Sequence, residues 1–335
     1  MNSESSSVSR RDLLKTTLLF SSGLLTGGWA SRLQAAAAQT DFGKGGLHLL
    51  AVGDYGTANA EQKQVADQMN AFAGKLGSPL GAVLALGDNF YGMMTPERFQ
   101  PGFEEMYSKE HLDCPFYALL GNHDYGPQYD SKQGRAKADM QLAYARANPA
   151  SRWKMPAKWY SFELGAPGKP LVKVIYLDGN YFEGALTPQE KIEQKRWLEA
   201  EMTKKTDAKW LWVVSHYPLF SDTTKRGDKE GVKLLENWGS YLREKPVSLY
   251  LSGHDHNLQH LRVEGYRASF LVSGGGGASR YEVQQSPRGF SMQTRGFNHI
   301  HVTEDKLTVQ LINPEGQRLH AFEQTIAGET RILSV

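Results

Sequence analysis

Five short clusters of ligand-type side chains recur along the chain: Gly53-Asp54-Tyr55-Gly56, Gly87-Asp88-Asn89-Phe90-Tyr91, Gly121-Asn122-His123-Asp124, Ser215-His216-Tyr217 and Gly253-His254-Asp255-His256. Asp, Asn and Tyr offer oxygen donors and histidine offers imidazole nitrogen, a mixture that suits iron, zinc or manganese better than calcium. The donors outnumber what one ion takes. Asp88 stands between the first and third clusters, so it is the natural bridge for two cations about 3.5–4 Å apart, an arrangement that hydrolyses phosphoesters. The glycines preceding Asp54, Asp88, Asn122 and His254 let the backbone turn sharply and approach such ions closely. Singly, each cluster is weak. A Gly-Asp pair after a strand is an ordinary turn, and His254 and His256 suit a solvated loop equally well. Order and placement together carry the argument.

The placement comes from the runs in front of the clusters. Leu47–Val52, Ala82–Leu86, Phe116–Leu120, Leu171–Leu177, Trp210–Val214, Val247–Leu251 and Phe270–Val272 are apolar and rich in β-branched residues, the pattern of buried strands. Val65, Met69, Phe72, Ala73 and Leu76 fall on one face of a helix between the first two. Thr187-Pro188-Gln189-Glu190 supplies an N-cap, a proline at the first helical position and a capping-box acid, opening a second helix with Ile192, Leu198 and Met202 inward. Asp54, Asp88 and Asn122 are spaced 34 residues apart, about one strand, helix and return each, so successive parallel strands bring their carboxyl ends together. The tail differs: His299–Val302, Lys306–Ile312 and Leu319–Thr325 read as antiparallel strands, the last two joined by a turn at Asn313-Pro314-Glu315-Gly316.

Composition narrows the partners. The chain has 335 residues, 40% of them hydrophobic, and one cysteine, Cys114. That supports a sizeable core and excludes a disulfide scaffold or a thiolate metal cage. Residues 1–38 hold four of the 38 basic and two of the 36 acidic side chains, leaving 34 of each in the remainder. A neutral mature chain points to no nucleic acid and no anionic membrane as partner.

The beginning reads as an address. Arg10-Arg11 before Leu13-Leu14, a mildly apolar stretch and the small residues Ala35 to Ala38 resemble a twin-arginine export signal. Serines and glycines interrupt the stretch, so it does not form a stable membrane span. The expectation is a removed signal at 1–38, one domain over 39–335, recognition by the twin-arginine export machinery, and a bacterial periplasmic or secreted location.

The ordered series of clusters resembles the metallophosphoesterase superfamily. Within it the chain is similar to the purple acid phosphatases, above all the small tartrate-resistant type, through the run Gly253-His254-Asp255-His256-Asn257-Leu258-Gln259. The likeness spans 47–325. It implies a four-layer α/β/β/α sandwich of two mixed sheets. It also implies ferric iron on Asp54, Tyr91, His256 and bridging Asp88, and a divalent ion (iron, zinc or manganese) on Asp88, Asn122, His216 and His254. Most branches carry a histidine where Gly56 stands, and Tyr91 replaces it as a phenolate that would colour the protein. The implied reaction is hydrolysis of small phosphomonoesters in acid by metal-activated hydroxide. His123 would serve the transferring group or the leaving oxygen, with Asp124 orienting it. A phosphodiesterase using the same centre and an iron-binding or redox protein are the alternatives.

Several features depart from that pattern. The histidines that the family places in its substrate-facing loop have no counterpart among Leu219 to Lys233. Lys225, Arg226 and Lys229 stand there instead; they could bind phosphate as cations or form a solvated face, and the solvated face is the favoured reading. Gly179 to Leu186 is too short to act as a long regulatory loop. Gly274 to Gly277 lacks the context of a P-loop and reads as a tight rim turn near the metals. Trp153, Trp159, Tyr160 and Phe162 suit the edge of the sandwich, and Cys114 a small buried position.

Overall fold

The computed structural model describes residues 45–125, 132–181 and 185–334. The twin-arginine leader lies outside the described residues, as do 182–184 of the short segment before the second predicted helix.

One sheet has eight strands. Its parallel part is β1 (Leu47–Val52), β2 (Ala82–Ala85), β3 (Phe116–Ala118) and β4 (Trp153–Lys154). On the other side of β1 an antiparallel meander runs through β12 (Phe297–Val302), β13 (Lys306–Ile312), β14 (Arg318–Thr325) and β15 (Thr330–Ile332). The second sheet has seven strands in the order β11 (Gly289–Met292), β9 (Leu258–Arg262), β10 (Ser269–Ser273), β8 (Val247–Ser252), β7 (Trp210–Ser215), β6 (Lys169–Leu177) and β5 (Tyr160–Ala166). Its parallel core is β6, β7, β8 and β10.

Helices α1 (Ala60–Gly74) and α2 (Lys132–Ala147) cover the outer face of the first sheet, where Val65, Met69 and Ala138 join Leu50, Val52 and Val83 in one core. Helices α3 (Pro188–Thr203) and α4 (Gly231–Glu244) cover the second, with Leu198, Leu234, Trp238 and Leu242 on Ile175, Val213 and Tyr250. The inner faces meet directly. The Tyr117 ring stacks on Phe162 at 3.8 Å, and the Tyr160 and Tyr176 hydroxyls donate to the carbonyls of Ala118 and Tyr117. The layers are therefore α/β/β/α, with two mixed sheets.

The expected strands and the capping box are present. Glu190 N donates to Thr187 Oγ1 at 3.2 Å while Thr187 N donates to Glu190 Oε2 at 2.8 Å, a pairing worth about 1 kcal/mol to the helix end. One inward assignment is corrected: Ile192 is 47% exposed, and α3 buries Gln194 with Leu198 and Met202. Gln194 is drawn in because its amide exchanges hydrogen bonds with the main chain of Asp178 at the end of β6. Trp153, Tyr160 and Phe162 line the sheet edges as expected, and Cys114 is buried. Among the described residues, no helix is long and apolar enough to cross a membrane.

Candidate metal centre

All five clusters sit just beyond strand carboxyl ends, at β1, β2, β3, β7 and β8. The loops are bonded to one another through their backbones. Asp54 N donates to Gly87 O, Gly56 N to Asp88 O, Tyr91 N to Gly56 O and Gly253 N to His216 O, all at 2.9–3.0 Å. Asp54, Asp88 and His254 have φ of 59°, 53° and 66°. Three non-glycine residues in the left-handed region cost of order 1–3 kcal/mol each, a strain that persists where the surrounding structure holds it.

Close approach explains the glycines. A Cβ on Gly121 would lie 2.3 Å from Asp88 Oδ1 and 2.8 Å from His216 Cε1, and one on Gly253 would lie 2.4 Å from Asp54 Oδ2. At Gly56 a Cβ would fall 2.2 Å from the Asn89 carbonyl, so no side chain fits there. The space a first-motif histidine would fill is closed, and the Tyr91 hydroxyl comes to Asp54 instead.

The donors form two triangles. Asp54 Oδ1, Tyr91 Oη and His256 Nε2 are separated by 3.4, 3.3 and 3.3 Å. Asn122 Oδ1, His216 Nε2 and His254 Nδ1 are separated by 3.2, 2.9 and 3.2 Å. Asp88 adjoins both: its Oδ1 is 3.4 Å from His216 Nε2, and it groups with Asp54 and His256 with donor atoms within 4.8 Å of one another. Donors about 2.0–2.1 Å from a common tetrahedral ion stand about 3.3 Å apart. Both triangles fit an ion of that size.

The outer nitrogens fix the rings. His216 Nδ1 lies 2.8 Å from Leu86 O, His256 Nδ1 2.5 Å from Ser279 O, and His254 Nε2 2.7 Å from Glu230 Oε2. Carbonyl and carboxylate oxygens only accept, so each outer nitrogen carries a hydrogen, and in the neutral ring the inner one offers its lone pair to a cation. The electrostatics match a cage built for cations. Burial opposes charge on His216, yet Asp88 and Asp54 raise it to about 9. Burial likewise opposes ionisation of Asp88, and His216 beside it nevertheless holds the carboxyl well below the usual range. The Tyr91 hydroxyl is pushed up by burial and then by Asp88 and Asp54.

The other expected residues divide. His123 is exposed at the mouth, its ring 4.5 Å from that of Tyr91 and its main-chain N–H donating to Asp88 Oδ1 at 2.8 Å. Asp124 is fully buried and does not orient the His123 imidazole. Its carboxylate accepts from Asn89 N, Phe90 N, Gly121 N and Gln141 Nε2 at 2.8–3.1 Å. The bonds from Asn89 and Phe90 tie the second cluster to the third, the one from Gly121 closes the third on itself, and the one from Gln141 ties it to α2. Three further residues stand at the site. Lys137 of α2 is buried with Nζ on the carbonyls of Phe90 and His123, and Glu230 and Arg226 reach His254 from the loop before α4. A periodic charge on a polar helix, such as Lys137, and a lone acid in a loop, such as Glu230, give no signal in sequence.

Residues 47–258 match the family model described as calcineurin-like phosphoesterase. Purple acid phosphatase 4 of Arabidopsis thaliana is 30% identical over 299 residues, covering 83% of this chain and 84% of the relative. The chain belongs to the calcineurin-like phosphoesterases, among the purple acid phosphatases. It is a metal-dependent hydrolase. Tartrate-resistant acid phosphatase type 5 of Oryctolagus cuniculus is likewise 30% identical, over 307 residues, covering 82% of this chain and 89% of the relative. A purple acid phosphatase from yellow lupin seeds (Lupinus luteus) shares the fold, with a TM-score of 0.67 at 16% identity across 85% of this chain and 55% of that one.

Proposed function

We propose that the chain is an exported acid phosphatase that hydrolyses phosphomonoesters at a dinuclear centre of Fe(III) and divalent iron, zinc or manganese, in the periplasm or outside a bacterial cell. The observation that carries the reading is the pair of donor triangles with Asp88 against both. Asp54, Tyr91 and His256 would hold the ferric ion, and Asn122, His216 and His254 the divalent one, with Asp88 shared. When bound, two such cations neutralise phosphate oxygens and acidify a water for in-line attack at phosphorus.

The rest is done by the chain. Leu86 O, Ser279 O and Glu230 keep the three imidazoles in the tautomer that faces inward. The His123 ring at the mouth is the group that would hydrogen-bond the transferring phosphoryl or protonate the leaving oxygen. Asp124 and Lys137 act as positioning residues that hold the backbones of Asn89, Phe90, Gly121 and His123. The neutral balance of the chain after residue 38 supports a small-molecule substrate over nucleic acid. Arg10-Arg11 supports export of residues 39–335 as one folded domain by the twin-arginine machinery. Replacing both arginines by lysine should block export.

The deciding experiment combines metal analysis and a visible spectrum of native protein with pH profiles on an aryl monoester and a bis-aryl diester. Two metals per chain, a purple colour and faster monoester hydrolysis with an acidic optimum are expected. Faster diester hydrolysis would make the protein a phosphodiesterase. A purple protein releasing no phosphate at any pH would be an iron-binding or redox protein.

A further inference from the structure

Arg226 does not belong to a solvated face. Lys225 and Lys229 are exposed, but the Arg226 side chain is only 20% exposed and its guanidinium lies over the Tyr281 ring at 5.4 Å. Tyr281 stacks on His256 at 4.1 Å, and Arg226 Nη1 meets His254 Nε2. The guanidinium thus stands beside imidazoles from both triangles.

Its apparent partner cannot be a partner once His254 serves the cage. His254 Nδ1 faces Asn122 Oδ1 at 2.9 Å and must offer a lone pair there, so Nε2 carries the hydrogen and donates to Glu230 at 2.7 Å. An N–H of Arg226 then finds no acceptor on that ring. What remains for it is an ion pair with Glu230 Oε2 at 3.6 Å, on the carboxylate that also accepts from His254. Beyond that ion pair, a permanently charged fork of donors stands at the mouth with no further hydrogen-bond acceptor among the described residues.

The fork is held in place from behind. Arg288 grips Asp228 at 3.0 and 2.8 Å, Asp222 Oδ1 at 2.6 Å and the carbonyl of Ser221 at 3.0 Å. Asp228 in turn accepts from Ser221 N at 2.8 Å, and Thr224 N donates to Glu282 O at 3.0 Å. The segment carrying Arg226 is fastened on both sides of it. A planar guanidinium positioned in this way suits two oxygens of a phosphate group.

We infer that Arg226 is a specificity-determining residue that binds the non-bridging oxygens of a terminal phosphate and thereby favours monoesters over diesters. This rests on the proposed phosphatase reading and deepens it. A monoester can carry a second negative charge and presents three free oxygens. A diester carries one charge and two free oxygens, so it gains less from an added cation.

The test compares wild type with Arg226→Met and Arg226→Lys, each first shown to keep its metal content and visible spectrum. In Arg226→Met, kcat/KM for an aryl monophosphate is expected to fall about thirty-fold and that for the bis-aryl diester less than about threefold. Arg226→Lys, which keeps charge but not the fork, should fall between. Calorimetric titration with inorganic phosphate should show binding weakened about tenfold or more in Arg226→Met. Equal losses on both esters, or unchanged phosphate affinity, would overturn the inference. If wild type hydrolyses neither ester, the phosphatase reading fails while the phosphate titration still judges Arg226 alone.

Discussion

Glu230 Oε2 lies 2.7 Å from His254 Nε2, on the opposite side of the ring from the nitrogen that faces Asn122 and His216. A carboxylate that far along the chain decides which nitrogen of a cage histidine is free. Glu230→Gln keeps the shape and removes the charge, and its amide nitrogen can donate where only an acceptor serves. The expected result is a ten- to hundred-fold loss of affinity, about what such outer partners contribute, for the ion held by the second triangle. Titration of metal-free protein with zinc measures it, and unchanged affinity would remove Glu230 from the site.

Gly121 matters to the cage through space as well as through its N–H. A Cβ there would stand 2.3 Å from Asp88 Oδ1 and 2.4 Å from Asp88 N, and backbone atoms cannot yield as a flexible side chain can. Gly121→Ala should fold, because the clash is local to the loop after β3, but bind less than one metal per chain. Two metals retained at full occupancy would show that the loop has slack.

Tyr91 supplies the oxygen that closes the first triangle where Gly56 leaves no room for a histidine. Iron-loaded Tyr91→Phe should lose the visible charge-transfer band that a phenolate on ferric iron gives. A band of full intensity would assign the colour to another residue.

Much of the cage was legible because its signals are local. Asp54, Asp88, Asn122, His216, His254 and His256 each follow an apolar run directly, and a strand end is readable from the run alone. Their supports were not. Helix α2 escaped notice because its buried face includes Lys137 and Gln141, which are polar by type but satisfied by Phe90 O, His123 O, Asn89 and Asp124. Arg226 and Lys225 are adjacent in sequence and similar in chemistry, yet one lies against His254 and the other is exposed. Asp124 carries a catalytic type of side chain beside a catalytic candidate, and its burial turned it into a clamp for backbone N–H groups.

The two sheets are also joined by a pair of imidazoles, His260 Nδ1 lying 2.9 Å from His320 Nε2. The groups around them are Arg262, Ser269, Gln324, Phe290 and Phe322. Burial lowers His320 to about 4, and burial with the neighbouring His320 and Arg262 takes His260 well below its usual value. The unfolded chain protonates both near pH 6.5, so between about 6.5 and 4 it binds more protons than the folded chain. Stability contributed by this pair is therefore full above about pH 6.5 and declines as pH falls toward 4. His320→Gln should show a shallower fall of melting temperature over that range than wild type, and parallel curves would contradict the account.

Under the proposed function two ions share Asp88. Anomalous diffraction from crystals of native, metal-replete protein, collected at the iron edge and at the edge of the second metal, reads it directly. Two peaks are predicted about 3.5–4 Å apart, one among Asp54, Tyr91 and His256 and the other among Asn122, His216 and His254, with Asp88 touching both. A single peak, or two peaks outside these triangles, would contradict it.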